Sequence, residues 1–280
     1  MVIKRLIINA DDFGFSRSVT DGILYAHSAG ILTSTTLMTT MPDCDRAMDL
    51  VPGYPALGLG IHLCLTQGIP RCGRMKYLVS ADGQFPRQVC SLLQRLSLHR
   101  KARDEAKAEW AAQIEYALRH NLHPTHLDSH KHIHHWPVLA QVVKELAGQY
   151  QIPYIRCADE ISIRSAPGLS AGYRALRFLA RRFKRCIAGT ELRTTDWFFG
   201  LAVTGKFSAD FWLNLLNQLP TGTGEVMVHP GYCTDLDTGS TRLTTQRQSE
   251  LDGLCDSALI TEINQYAVDN KIQRVHFGQL

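Results

Sequence analysis

The chain has 280 residues and a mass of 31.4 kDa, long enough to bury a sizeable core and a usual size for one α/β barrel. Hydrophobic residues make up 45% and charged residues 20%, the balance of a soluble globular protein, and no window approaches the ~20 apolar residues that span a bilayer. A formal charge of +4 does not by itself point to a polyanionic partner. The eight cysteines are scattered without a C-x-x-C pair, which predicts reduced thiols in a cytosolic protein rather than a disulfide scaffold.

The N-terminal MVIKRLIINADDFG places two basic residues before a short apolar run that leads straight into a double aspartate. It reads as a first strand over residues 6–10, not as a secretory signal. A helix over 16–29 opens on Ser16, a good cap, and sets Val19, Ile23 and Leu24 near one face. Strands are predicted over 34–38 and 57–65. A helix over 103–121 carries Ala106, Trp110, Ile114, Ala117 and Leu118 at helical spacing. A strand over 125–129 leads through Pro137, a first-turn residue, into a helix over 138–150. Strands over 154–157 and 196–201, a helix over 207–219, a strand over 225–229, a helix over 249–270 and a strand over 274–277 complete the series. Strands alternating with helices predict parallel βαβ units. Eight strands over this length predict an α/β fold of the irregular (β/α) barrel type, with a doubly wound open sheet as the alternative, in a single domain over 1–280. A barrel requires its reactive residues at the C-terminal ends of strands.

Four segments carry chemistry. In NADDFG, Asp11 and Asp12 follow a strand and precede Gly14; one as metal ligand and the other as general base is one reading, a solvated turn or helix cap the other. In GLGIHLCLT, His62 lies in an apolar run, where a histidine is either a satisfied core residue or a ligand, and a strand that stops early is needed to bring it to a site. In PTHLDSHKHIHHWP, five histidines and Asp128 fall within residues 126–135. His126, Asp128, His130 and His132 alternate, so a persisting strand places them on one face, and such a face does not suit a core. In EVMVHPGY, His229 ends a strand where Pro230 and Gly231 force a turn; it suits either a general acid or a plain turn residue. Together these residues suit a divalent ion held by one carboxylate and two imidazoles, with a second carboxylate as base and a histidine as acid, which is the machinery of amide hydrolysis. No G-x-S-x-G, P-loop or G-x-G-x-x-G signature is present.

NADDFG, GIHLCLT, THLDSHKHIH and the HPG turn, in this order, resemble the YdjC-like carbohydrate deacetylases, and the resemblance runs from Leu6 to the final strand. It implies a distorted (β/α) barrel that binds Mg²⁺ or Zn²⁺ and removes acetyl groups from N-acetylated amino sugars, including chitooligosaccharides such as diacetylchitobiose. By resemblance Asp11 is the catalytic base, and Asp12, His62 and His130 are the metal ligands. Asp128, His132 and His229 occupy matching motif positions, the first two as candidate substrate contacts and His229 as a candidate catalytic residue.

Residues 171–189, AGYRALRFLARRFKRCIAG, interleave five arginines and a lysine with Tyr173, Leu176, Phe178, Leu179 and Phe183. This pattern fits a basic amphipathic helix on an anionic membrane surface, or a barrel helix whose arginine stems cover apolar neighbours. LRTTDWFFGLAVTGKF at 192–207 and DGQF at 82–85 resemble the hopanoid-biosynthesis branch of the family, which implies a lipid-linked acetylglucosaminyl substrate. The predicted partners are thus an N-acetylated amino sugar and, peripherally, a membrane surface, with the chain a monomer or homodimer in the cytoplasm or at the inner membrane. No nucleic-acid module accompanies the arginines. A metal-dependent amidohydrolase or phosphodiesterase of another substrate, and a non-catalytic sugar- or lipid-binding protein, are the competing functions.

Overall fold

The computed structural model describes residues 4–280 apart from Arg74, Ser165, Asp237, Thr238, Ser240 and Asn270. The first strand, β1 (Lys4–Phe13), enters through two charged residues and then buries every side chain from Leu6 to Phe13. Ser16 caps α1 (Arg17–Ala29) by accepting from the Val19 amide, as its sequence predicts. β2 (Ser34–Leu37), α2 (Cys44–Leu50) and β3 (Gly58–Leu63) follow. The helices α3 (Val89–Leu98) and α4 (Arg100–Arg119) precede β4 (His126–Ser129), and α5 (Pro137–Gln149) begins on its proline. The rest is β5 (Tyr154–Ile155), α6 (Ala171–Ile187), β6 (Trp197–Phe199), α7 (Ala209–Leu216), β7 (Gly222–Val228), α8 (Thr245–Leu254), α9 (Ser257–Val268) and β8 (Ile272–Arg274).

Three expectations are corrected. The helix expected over 249–270 is two helices, because Asp256 takes an extended conformation and caps α9 through the amides of Ala258 and Leu259; its expected last residue, Asn270, lies outside the described residues. The last strand lies at 272–274 rather than 274–277, and Phe277 sits in a short 3₁₀ turn. Helices α2 and α3 are absent from the expected series, although Val89, Leu92, Leu93 and Leu96 carry the helical period.

All neighbouring strands are parallel, in the order β5-β4-β3-β2-β1-β7-β6. β1 pairs with β7 along one side, while its other side serves β8 through Lys4–Leu6 and β2 through Asn9–Phe13. The edge strands meet through single bridges, Tyr154 with Arg193 and Glu160 with Phe198, so closure is irregular. One side chain shows that the sheet is curled rather than open. Arg156, just past β5, forms ion pairs with Asp11 of β1, Asp128 of β4 and Glu225 of β7. Four strand spacings separate β4 from β7, roughly 19 Å in a flat sheet, beyond the reach of one guanidinium. The fold is therefore an irregular (β/α) barrel. Helix-facing side chains of the strands, such as Leu6, Ile8, Ala10 and Leu127, join the main apolar core. The alternate positions turn Ile7, Asn9, Asp11, His126 and Asp128 inward; Ile7 joins Tyr154, Val275 and Phe277 in a small apolar cluster, and polar side chains fill the buried interior above it. Among the described residues, no helix is long and apolar enough to cross a membrane.

Candidate metal centre

Adjacent strand residues face opposite ways, so two consecutive aspartates should not share a pocket. Here a β-bulge brings them together. Ala10 pairs with Thr35, but Phe13, not residue 12, pairs with Leu37; the extra residue is absorbed with Asp12 at φ 71°. Aspartate tolerates this left-handed conformation better than most residues. Asp11 and Asp12 are 2% and 3% exposed at the C-terminal mouth of the barrel.

The two carboxylates meet different partners. Both oxygens of Asp11 accept from Arg156, at 2.6 and 2.7 Å, and Oδ1 also accepts from Asn9 Nδ2 at 3.1 Å. Burial would raise its pKa, but Arg156, helped by His62 and His229, holds it far below the usual carboxylate range. Asp12 Oδ2 accepts from Arg247 of α8 at 2.5 Å. Its Oδ1 is buried without a hydrogen-bond partner. That oxygen faces His62 Nε2 at 3.6 Å and His130 Nδ1 at 3.4 Å. Burial opposes ionisation of Asp12 as well, yet Arg247 and His130 keep its pKa well below normal.

His62 stands at the penultimate position of β3, which stops at Leu63 rather than running to residue 65. Register places it beside Asp128 of β4, and its Nδ1 meets Asp128 Oδ1 at 2.7 Å. Nε2 is thereby left to point at Asp12. Burial works against a charge on this ring, but Asp128, Asp11 and Asp12 outweigh it and push its pKa up to about 9. The pocket is therefore rich in negative charge. His130 follows β4 directly, where the chain leaves the strand for a 3₁₀ turn over His130–His135. Burial lowers its pKa.

Asp12 Oδ1, His62 Nε2 and His130 Nδ1 fit a divalent ion. Ligand atoms about 2.1 Å from a tetrahedral ion lie about 3.4 Å apart, close to the 3.4 and 3.6 Å seen here. All three residues can offer atoms within 4.8 Å of one another. Asp11, His62 and Asp128 form a second such group. That group does not fit as well, because Arg156 already pairs with both of its carboxylates.

The histidine tract divides in two. The common face expected for 126, 128, 130 and 132 persists only through Asp128, because β4 ends at Ser129 and both Lys131 and His132 take positive φ. His126 lies deep in the barrel, stacked on Phe277 at 3.9 Å and bonded to Asn9 Oδ1; Gly60 makes room for it, since a Cβ there would come within 2.5 Å of the ring. Asp128 is fully buried, in contact with His62, Thr36 and Arg156. His132 lines the groove above the cup, and its Nδ1 has no partner. His134 bonds Ser129 and the Arg156 carbonyl, and His135 bonds the His132 carbonyl and the Ala158 amide, so both knit the loop together.

His229 directly follows β7, which ends at Val228 rather than at 229, and stands opposite the cup with Nε2 4.0 Å from Asp11 Oδ2 and Nδ1 buried without a partner. Burial lowers its pKa to about 4 against the pull of Asp11 and Asp12. Its amide donates to Glu250, and Gly231 presses on α1 so closely that a Cβ on Gly22 would lie 2.5 Å from the Gly231 Cα. A groove of about 690 Å³ opens over Asp11, Asp12, His62, His130, His132 and His229, within the usual range for small-molecule sites.

Sequence reading missed Arg156, Arg247, Glu225 and Glu250. Arg156 had a signal: an arginine within the apolar YIRC run is either paired or excluded from the core. Glu225 accepts from Arg156 Nε, and burial raises its pKa to about 7 against that guanidinium.

The sequence profile of the YdjC-like protein family matches residues 5–265. The chain belongs to that family. Among curated relatives, a carbohydrate deacetylase of Halalkalibacterium halodurans is 35% identical over 229 residues, covering 81% of this chain and 85% of the relative. A carbohydrate deacetylase of Geobacillus stearothermophilus is 34% identical over 267 residues, 95% of each chain. A crystal structure of an Enterococcus faecalis protein named for cellobiose-phosphate cleavage is 27% identical, with a TM-score of 0.72 over 99% of this chain and 98% of that one.

Proposed function

We propose that this YdjC-like chain, a carbohydrate deacetylase and so a hydrolase of non-peptide C–N bonds, is metal-dependent and removes acetyl from an N-acetylglucosamine-containing substrate. One observation carries the metal dependence: a buried Asp12 oxygen with no hydrogen-bond partner faces two imidazole nitrogens at ligand spacing. Asp12, His62 and His130 would hold the ion, and two imidazoles with one carboxylate suit Zn²⁺ better than Mg²⁺. Such an ion would supply Lewis acidity, lowering the pKa of a water and polarising the acetamide carbonyl. Asp11 takes the water's proton; Arg156 and Asn9 orient its carboxylate and keep it ionised, and each oxygen has lone-pair capacity beyond the Arg156 bond. His229, whose buried ring rests neutral with Nε2 4.0 Å from Asp11 Oδ2, relays that proton to the departing amine, so that amide and water become acetate and a free amino sugar. Asp128 holds the His62 tautomer from behind and, with no place on the groove wall, positions a ligand rather than touching substrate. His132, on the groove wall, is the better candidate to bind the sugar.

Purified protein is incubated with diacetylchitobiose after chelation and after restoration of Zn²⁺ or Mg²⁺. Acetate release that disappears on chelation and returns with the ion, one ion per chain, supports the reading. No release from this or any other acetylglucosaminyl substrate would sink it, and a binuclear centre would favour another amidohydrolase or a phosphodiesterase. A second substrate reading rests on the groove lip, where Tyr173, Leu176, Leu201, Met227 and Leu243 supply an apolar wall. It is a lipid-linked acetylglucosaminyl substrate such as a hopanoid, and faster release from the lipid than from the disaccharide distinguishes it. All eight cysteines are free, which supports a cytoplasmic setting.

A further inference from the structure

Helix α6 presents a face that the barrel does not use. It packs inward through Ala180, Phe183 and Ile187. On the opposite side Arg174, Phe178, Arg181, Arg182 and Arg185 are exposed and fall within an arc of about 100°. Phe178 is 65% exposed among these arginines. Asp159 pairs with Arg177 and Arg181, but Arg174, Arg182 and Arg185 form no ion pair among the described residues. The first turns of the helix also carry Tyr173 and Leu176, which line the groove over the metal centre. A solvated barrel helix has no need of an exposed phenylalanine ringed by unneutralised cations. An anionic surface with an apolar layer beneath it satisfies both features at once.

We propose that α6 docks the protein on an anionic phospholipid bilayer, with Phe178 at the headgroup–acyl boundary and Arg174, Arg182 and Arg185 on lipid phosphates. At 17 residues, α6 lies on the membrane and does not span it. Tyr173 and Leu176 lie about 140° and 160° around the helix axis from Phe178, so docking seats on the lipid the outer face of a helix whose other side walls the groove. The docking itself stands apart from the deacetylase reading; only its use, access to a lipid-linked sugar, rests on that reading.

The test is co-sedimentation of the full-length protein with phosphatidylcholine vesicles and with vesicles that also contain phosphatidylglycerol. Binding is expected only to the anionic vesicles, weakening as salt is raised. The variant R174Q/R182Q/R185Q should bind on the order of a hundredfold more weakly, from roughly fivefold per arginine. Phe178→Ser should weaken binding by about tenfold or more. Melting temperatures of both variants should match the parent, so a folding defect is visible and the result holds whatever the substrate proves to be. Equal binding to both vesicle types, no binding, or undiminished binding by the triple variant overturns the proposal. So does a dimer that Phe178→Ser splits while vesicle binding is absent, which would assign the face to a second copy of the chain.

Discussion

Asp11 and Asp12 are neighbours in sequence, equally buried, and open into the same barrel, yet they belong to two different electrostatic regions. Below lies a floor in which Asp11, Asp128 and Glu225 surround the Arg156 guanidinium. Above it lies a cup in which Asp12 keeps one oxygen unpartnered between two imidazoles. Both contain metal-capable groups of the same residue types. The difference is that the floor already has its cation. A cluster of acids and histidines is therefore a metal site only to the extent that no protein cation has satisfied it first, and a buried orphan oxygen is a better guide than the count of ligands.

This contrast can be broken from either side. The largest effect is expected for Asp11→Asn, which should lower turnover by about 10²–10⁴-fold while the metal content of the purified protein stays at the parent value. Loss of the ion in that variant would move Asp11 from the floor to the cup. Arg156→Met leaves three buried carboxylates without their cation, and denaturant unfolding should show a loss of about 3–5 kcal/mol. An unchanged midpoint would mean that the floor is held together otherwise. Asp128→Asn joins the two regions, since Asp128 contacts both Arg156 and His62. It should weaken metal affinity by about 10–100-fold in a chelator competition, with the ion still bindable at higher concentration.

A further test of the same interior concerns pH. Burial lowers the pKa of His135 from 6.5 to about 4 and that of His134 well below normal. In the unfolded chain these rings take up protons below about pH 6.5, whereas in the folded protein they resist it. The unfolded state thus binds more protons in this window, and stability is lost as pH falls from 6.5 towards 4, by up to about 1.4 kcal/mol per pH unit for each ring. His135→Gln should flatten the melting temperature against pH over that range. A profile as steep as the parent's would exclude His135 as a source.

Much of the fold was legible because it is written in local pattern. Apolar runs marked the strands, Ser16 marked a helix start, and Pro137 marked another. The four segments with polar residues at strand ends marked the mouth of the barrel. Other features were hidden for identifiable reasons. A backbone curl that lets Asp11 and Asp12 reach one pocket is expected at a strand end, but its form, a bulge inside β1 between Ala10 and Phe13, is a property of the pairing with β2. The period-two rule mispredicts His130 and His132 because β4 ends at Ser129. Helix α8 gives little warning of its role, because its buried residues include Arg247 and Glu250 beside Leu251 and Leu254, so its inner face is not apolar. The charge they carry is balanced by Asp12 and by the amides of His229 and Gly205, none of them near in sequence.

What the sequence by itself determined was the supply of reactive groups and the strand ends that carry them: Asp11 and Asp12, His62, the tract from His126 to His135, and His229. Spacing along the chain reports which side chains share a strand or a helix face, and nothing more distant. Only the tertiary structure decided which groups are neutralised. Curling the sheet carried Arg156 from beyond β5 to Asp11 and set Arg247 of α8 on one oxygen of Asp12, leaving the other oxygen to His62 and His130. Over a few ångströms in a buried interior, those placements govern charge far more strongly than residue type does.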